Sequence, residues 1–323
     1  MKKTCLSAIV LIHFYTYSNA QSPTIEKDAA NNITAFTNIV YKIAGQDSLK
    51  LDIFLPTTKQ VSTNYPVALF ITGGAWVTGT KDMEGHILRK KLKYALLNNG
   101  FAIVSIEYRY LNDKNHFPQP IEDCKDAVRW VKVHAQNYQL DTANIGLIGE
   151  SAGAHLALLT AYTNENIWNA TPNYPHISTK VKSVVDYYGP TDINKLFKTN
   201  ASGFTTMLAK LFIGKKFRLR NRLLYQMTLE DFGSNKKKVM EKLNQYSPLT
   251  YVTPSVVPTF IAHGNKDKLV PFAQSKKLFQ HLLKSNHQTP IIKVKGADHG
   301  FVHASEKELD YIVDETIRFL KNQ

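Results

Sequence analysis

The chain is poor in cysteine, in acidic residues and in long apolar runs. Only Cys5 and Cys124 occur in 323 residues. Cys5 lies in an N-terminal segment that begins Met1-Lys-Lys, continues as an apolar stretch over residues 6–17 and ends in Ser18-Asn-Ala20. A basic start, a short apolar centre and small residues at the end describe a signal peptide, so residues 1–20 are expected to be removed and the protein to be secreted or periplasmic. Cleavage leaves Cys124 alone, which excludes a disulfide within the mature chain. Cys5 is too early for a lipoprotein cleavage site, and no lipid anchor is expected. No later segment reaches transmembrane length, so no transmembrane anchor is expected either.

Acids number 26 against 40 Lys and Arg, a formal charge of +14; losing Lys2 and Lys3 leaves 14 − 2 = +12. That balance favours anionic neighbours. No nucleic-acid motif accompanies it and the basic side chains are spread along the chain, so weak contact with an anionic polysaccharide or envelope surface is the expected partner, with no nucleic acid. The densest run, 215–222, reads as a solvated basic face. The histidines lack ligand spacing around a carboxylate or cysteine cluster, and neither a metal nor an organic cofactor is expected. Internal repeats and low-complexity tracts are missing too.

What the chain does have is 43% hydrophobic residues, enough for a large core. Residues 39–43 and 49–55 read as an opening hairpin after a polar leader at 21–36. Strands at 67–71, 101–106, 145–149, 181–185, 256–262 and 291–295 then alternate with helices at 121–135, 154–162, 273–283 and 306–320. Such alternation predicts a mostly parallel central sheet flanked by helices, with functional loops at the strand C-termini. Residues 37–323 read as one catalytic domain.

At one strand-to-helix junction stands Gly149-Glu150-Ser151-Ala152-Gly153. A G-x-S-x-G string arises by chance in roughly one chain in ten of average composition, so context decides. Here a buried strand precedes it and a small-residue helix follows, which is the setting of a nucleophile elbow that presents Ser151. A serine hydroxyl needs a base, and the base needs an orienting acid. Asp267 follows a later strand and His299 follows the last one, the chain order such an elbow requires. Of the other candidates, His303 suits a capping or surface role, His263 a structural hydrogen bond, and Asp298 the shaping of the His299 loop. Asp186 and Asp192 read as loop braces because an acid there falls one strand early. The turn Thr72-Gly73-Gly74-Ala75-Trp76 follows a buried strand, its backbone N–H groups can converge on an oxyanion, and the Ala152 N–H is expected to supply another donor. Trp76 and Tyr188 are candidates for the substrate pocket, although a large aromatic beside a strand is commonly core.

With these motifs the sequence resembles the α/β-hydrolase family, in the esterase branch with an H-G-G-x-W type oxyanion motif. That branch includes bacterial carbohydrate acetyl and feruloyl esterases, kynurenine formamidases and hormone-sensitive-lipase-like enzymes. The resemblance implies an α/β-hydrolase fold with Ser151 as nucleophile, Asp267 and His299 as its partners, and Gly74, Ala75 and Ala152 as oxyanion donors. Two positions depart from the motif. Thr72 stands where a bracing histidine is usual, and Ala75 adds a methyl group to the turn.

Residues 194–246 read as a helical cap insertion. Phe204, Met207, Leu208, Leu211 and Phe212 recur there at helical spacing, a stripe that suits either packing between cap and body or a cover over the site. The expected activity is hydrolysis of small carboxylic esters, with acetyl or hydroxycinnamoyl esters of carbohydrate implied by the resemblance. Two alternatives remain at this level: an amidase or formamidase of the same fold, and a non-catalytic binding module on a hydrolase scaffold.

Overall fold

The computed structural model describes residues 24–28, 33–56, 64–169, 174–199 and 214–323. The expected signal peptide and the Phe204–Phe212 stripe lie outside them. Nine strands form one sheet in the order β1-β2-β3-β5-β4-β6-β7-β8-β9. They are β1 (Thr24–Asp28), β2 (Ile33–Ala44), β3 (Asp47–Pro56), β4 (Tyr65–Ile71), β5 (Ala102–Ile106), β6 (Leu140–Glu150), β7 (Ser183–Tyr187), β8 (Thr259–Gly264) and β9 (Ile291–Val294). From β5 to β9 every neighbouring pair is parallel, while β1, β2 and β3 pair antiparallel at one edge.

The helices are α1 (Ile87–Asn98), α2 (Gln119–Val133), α3 (Ala135–Tyr138), α4 (Ala152–Tyr162), α5 (Ile193–Leu196), α6 (Gly214–Thr228), α7 (Lys236–Gln245), α8 (Ala273–Lys284) and α9 (Glu306–Lys321). Strand periodicity assigns the two faces of the sheet. Val67, Leu69 and Ile71 of β4 point into a core that includes Ile121, Val128, Leu156, Leu159 and Leu278, from α2, α4 and α8. Ala68 and Phe70 point the other way, toward Leu88, Leu92 and Leu96 of α1 and Leu309, Ile312 and Val313 of α9. Ser305 starts α9 with a reciprocal capping box to Glu308, a feature that contributes about 1 kcal/mol to such a helix.

The segment 21–36, expected as a polar leader, carries β1 and the first turns of the pleat in β2. Thr24–Asp28 pairs with residues 33–37, and Ile33 and Ala35 are buried. An edge strand is held by backbone hydrogen bonds, so Thr-Ile-Glu-Lys-Asp needs no apolar face to be one.

Strand order reverses at β4, which lies between β5 and β6. Such a switch point opens a crevice beyond the strand C-termini. Ile71 stands opposite Gly149, Glu150 opposite Tyr187, Tyr187 opposite Ala262, and Gly264 opposite Val294. The loops after β4, β6, β7, β8 and β9 therefore leave the sheet at one end.

Candidate active site

Ser151 sits between β6 and α4 with φ 52° and ψ −121°. That conformation is strained for a residue with a side chain, and it turns the hydroxyl out at the top of the sheet. The turn closes because Gly153 has no Cβ: one built there would run into the carbonyl oxygens of Ile71 and Thr72.

The Ser151 Oγ lies 2.9 Å from His299 Nε2, and His299 Nδ1 lies 2.7 Å from Asp267 Oδ2. Asp267 comes from the loop after β8 and His299 from the loop after β9, as their sequence positions predict. The second Asp267 oxygen accepts the backbone N–H groups of Leu269 at 2.9 Å and Val270 at 2.8 Å. Burial alone would raise this carboxyl, but hydrogen bonds from His263 and His299, with the charge of His299, hold it well below the usual carboxylate range. An ionised acid, an imidazole held in one orientation and a hydroxyl in line form the arrangement that transfers a proton from serine during acyl transfer.

The remaining acids and histidines fall into supporting places. His263 is buried; its Nε2 faces Asp267 Oδ2 at 3.1 Å and the Val270 carbonyl at 2.8 Å, and its Nδ1 meets Ser275 Oγ at 2.7 Å. Asp298 accepts the N–H groups of His299 at 2.8 Å and Lys268 at 3.0 Å, which ties the two loops together. Asp186 accepts the Gly189 N–H at 2.7 Å, and Asp192 caps α5 through Lys195 N at 3.0 Å. His303 is exposed, and the cap of α9 is Ser305.

After β4 the chain curls through Gly74, Ala75 and Trp76 with φ of 120°, 51° and 63°. The Gly74 carbonyl accepts Val77 N at 3.1 Å and Thr78 N at 3.2 Å. Gly74, Ala75 and Ala152 line one cleft with Ser151 and His299. Among the described residues, no acceptor engages the N–H of Gly74 or Ala75. Ala152 opens α4, where a helix leaves N–H groups without an intrahelical partner. The Gly73 N–H is spent on Glu150 Oε1 at 3.2 Å.

The cleft has a volume of about 680 Å³. Leu196 and Leu223 from α5 and α6, Phe197 after α5, and Leu269 and Val270 from the acid loop make one wall apolar; both Trp76 and Tyr188 line it as well. Trp76 also belongs to the core, and its Nε1 donates to His155 Nδ1 at 3.1 Å. His155 Nε2 then donates to the Tyr246 carbonyl at 2.7 Å, so the histidine joins the turn, α4 and the end of α7. Burial lowers His155 to about 4, offset in part by that carbonyl.

Three residues of consequence are not singled out by the motifs: His155, Glu150 and Arg89. Leu88, Leu92 and Leu96 mark α1 by their spacing, but nothing local shows that Arg89 reaches back to Glu150, 61 positions away. Among the described residues no group of His, Cys, Asp and Glu could hold a metal ion, and no helix is long and apolar enough to cross a membrane.

The sheet order, the strained serine at its switch point and the loops that meet it define an α/β-hydrolase fold. The chain belongs to the family described as BD-FAE, whose model matches residues 51–282. It is similar to a protein of Mycobacterium tuberculosis named "Probable carboxylic ester hydrolase LipM", 30% identical over 75% of this chain and 50% of that protein. Among solved structures it is similar to a truncated form of a carbohydrate esterase from gut microbiota, with 25% identity, a TM-score of 0.70 and coverage of 92% of this chain and 100% of that one. A thermophilic esterase of Thermogutta terrifontis, solved with propionate bound, shares the fold at 24% identity and a TM-score of 0.65, over 88% of this chain and 93% of that one. The chain spans about half the length of the curated relatives it matches first.

Proposed function

We propose that the protein hydrolyses small carboxylic esters through an acyl-enzyme on Ser151. His299 takes the Ser151 proton as Oγ attacks the ester carbonyl, and Asp267 stabilises the resulting imidazolium. The N–H groups of Gly74, Ala75 and Ala152 receive the negative charge that develops on the carbonyl oxygen. A single donor of this kind contributes roughly 10²–10³ in rate. The tetrahedral intermediate collapses, His299 returns the proton to the departing alcohol, and water activated by the same histidine releases the acid.

The observation that carries this reading is the continuous hydrogen-bonded chain from Ser151 to His299 to Asp267. Acetyl or hydroxycinnamoyl groups on carbohydrate are the proposed substrates. Support comes from the apolar wall of Leu196, Phe197, Leu223, Leu269 and Val270, which suits an acyl group, and from likeness to a carbohydrate esterase of gut microbiota. Residues 1–20 are proposed to direct export, which mass measurement of the mature N-terminus tests.

Hydrolysis of short p-nitrophenyl esters by wild type and by Ser151→Ala tests the mechanism, with matched amides run in parallel. Turnover that disappears in Ser151→Ala and favours the ester is the expected result. Undiminished turnover in the variant removes Ser151 from the chemistry, and faster amide cleavage replaces the esterase with an amidase.

A further inference from the structure

Arg89 lines the cleft, yet its guanidinium is turned to the protein. Nε donates to Glu150 Oε1 at 3.1 Å; Nη2 donates to the same oxygen and to Thr72 Oγ1 at 3.0 Å. Nη1 faces the carbonyls of Asp82 at 3.1 Å and Thr80 at 3.5 Å. Every N–H-bearing nitrogen of the group is thus engaged. Burial alone would lower the Arg89 pKa, but the hydrogen bond and charge of Glu150 raise it, so the guanidinium keeps its charge.

Glu150 immediately precedes Ser151 and is buried. Besides Arg89, its Oε1 accepts the Gly73 N–H at 3.2 Å and its Oε2 accepts the Tyr188 hydroxyl at 3.3 Å. The Tyr188 ring stands edge-on to His299, with centroids 5.0 Å apart. One carboxylate thereby joins the start of the Gly74–Ala75 turn, helix α1, and an aromatic wall of the base. A buried ion pair is weak evidence for stability, because desolvation offsets the attraction. Its geometric effect is another matter. The turn it grips runs through three successive residues of positive φ, and a misplacement of about 1 Å in a reacting constellation can cost about 10²-fold in rate.

We propose that Glu150 and Arg89 are positioning residues that hold the Thr72–Ala75 turn in register with Ser151 and His299, and that they act on turnover and not on substrate affinity. The proposal rests on the reading of Ser151 as nucleophile. Thr72 takes part through its hydroxyl, and Arg89 from α1 bears on the turn at the position where the resembling family carries a histidine.

The test compares wild type with Arg89→Met, Glu150→Val and Glu150→Gln on p-nitrophenyl acetate. Competent sites are counted by titration with a fluorophosphonate, so that kcat is expressed per site, and thermal melting follows the fold. Arg89→Met and Glu150→Val are expected to lose about tenfold to a hundredfold in per-site kcat with KM changed by less than about threefold. Glu150→Gln keeps an oxygen for the Gly73 N–H and retains more of the rate than Glu150→Val. If Arg89→Met yields no soluble protein, Arg89→Lys, which cannot span the same acceptors, is held to the same expectation. Per-site kcat within about twofold of wild type, a loss confined to KM, or a loss confined to the number of titratable sites overturns the proposal. A wild type that neither turns over the ester nor takes up the fluorophosphonate overturns the nucleophile reading itself, and that outcome is seen before any Arg89 or Glu150 variant is made.

Discussion

His263 and His299 meet the same oxygen of Asp267, at 3.1 Å and 2.7 Å. Only His299 continues to Ser151 among the hydrogen bonds of the described residues. His263 ends in Ser275 and the Val270 carbonyl, so it anchors the acid. The two histidines should therefore separate experimentally. His299→Ala is expected to lose roughly 10³-fold or more in kcat with little change in melting temperature. His263→Leu leaves Ser275 and the Val270 carbonyl buried without a partner, and should cost about 2–4 kcal/mol of stability with a smaller loss in kcat. Kinetics and thermal melts on both variants decide it; the reverse pattern would make His263 the base.

Two other buried groups set a pH dependence of stability with opposing signs. Burial lowers His155 from 6.5 to about 4, so between those values the unfolded chain binds the extra proton, and this contribution is lost as pH falls through the window. Burial raises Asp186 from 3.8 to about 7, against the pull of the Gly189 N–H. Here the folded chain binds the extra proton, and the contribution is lost as pH rises toward about 7. One Asp186 oxygen has no hydrogen-bond partner among the described residues, consistent with a group that is easier to bury neutral. Urea unfolding of Asp186→Asn at pH 5 and pH 8 should show the variant gaining about 2 kcal/mol on wild type between the two. An equal difference at both pH values would contradict the assignment.

The chain order of Ser151, Asp267 and His299 was legible because each follows a short apolar strand, Ser151 ahead of a small-residue helix and the other two in polar loops, a pattern that needs no knowledge of distant contacts. The strands themselves declared their two-sided burial through runs such as Val67-Ala-Leu-Phe-Ile71. The polar edge strand at Thr24–Asp28 was not legible, since backbone pairing leaves no periodicity to read. Nor was the clasp of Glu150. In the motif it is merely the residue between Gly149 and Ser151, and its role comes from Arg89, Gly73 and Tyr188, which the fold brings from three other elements. The reading of His263 as structural needed no tertiary information beyond its place at a strand end, yet its grip on Asp267 did.

The glycines of the elbow and the alanine of the turn make a contrasting pair. A Cβ at Gly153 meets backbone carbonyls of β4 and its loop, which cannot yield as a side chain would. Gly153→Ala should cost more than about 3 kcal/mol or give no folded protein. Ala75 already holds φ 51°, so Ala75→Gly relieves local strain while adding freedom to the unfolded chain, and its net effect on stability should stay within about 1 kcal/mol. Chemical denaturation of the two variants checks both; a well-folded Gly153→Ala would mean the elbow is looser than its geometry indicates.

The central claim is that Ser151 is an activated nucleophile. Intact-mass analysis of the purified protein after exposure to a fluorophosphonate, with the labelled peptide mapped and Ser151→Ala treated alongside, tests it most directly. One adduct per chain, on Ser151 and absent from Ser151→Ala, is the predicted result. An unmodified wild type, or an adduct that persists in Ser151→Ala, would contradict it.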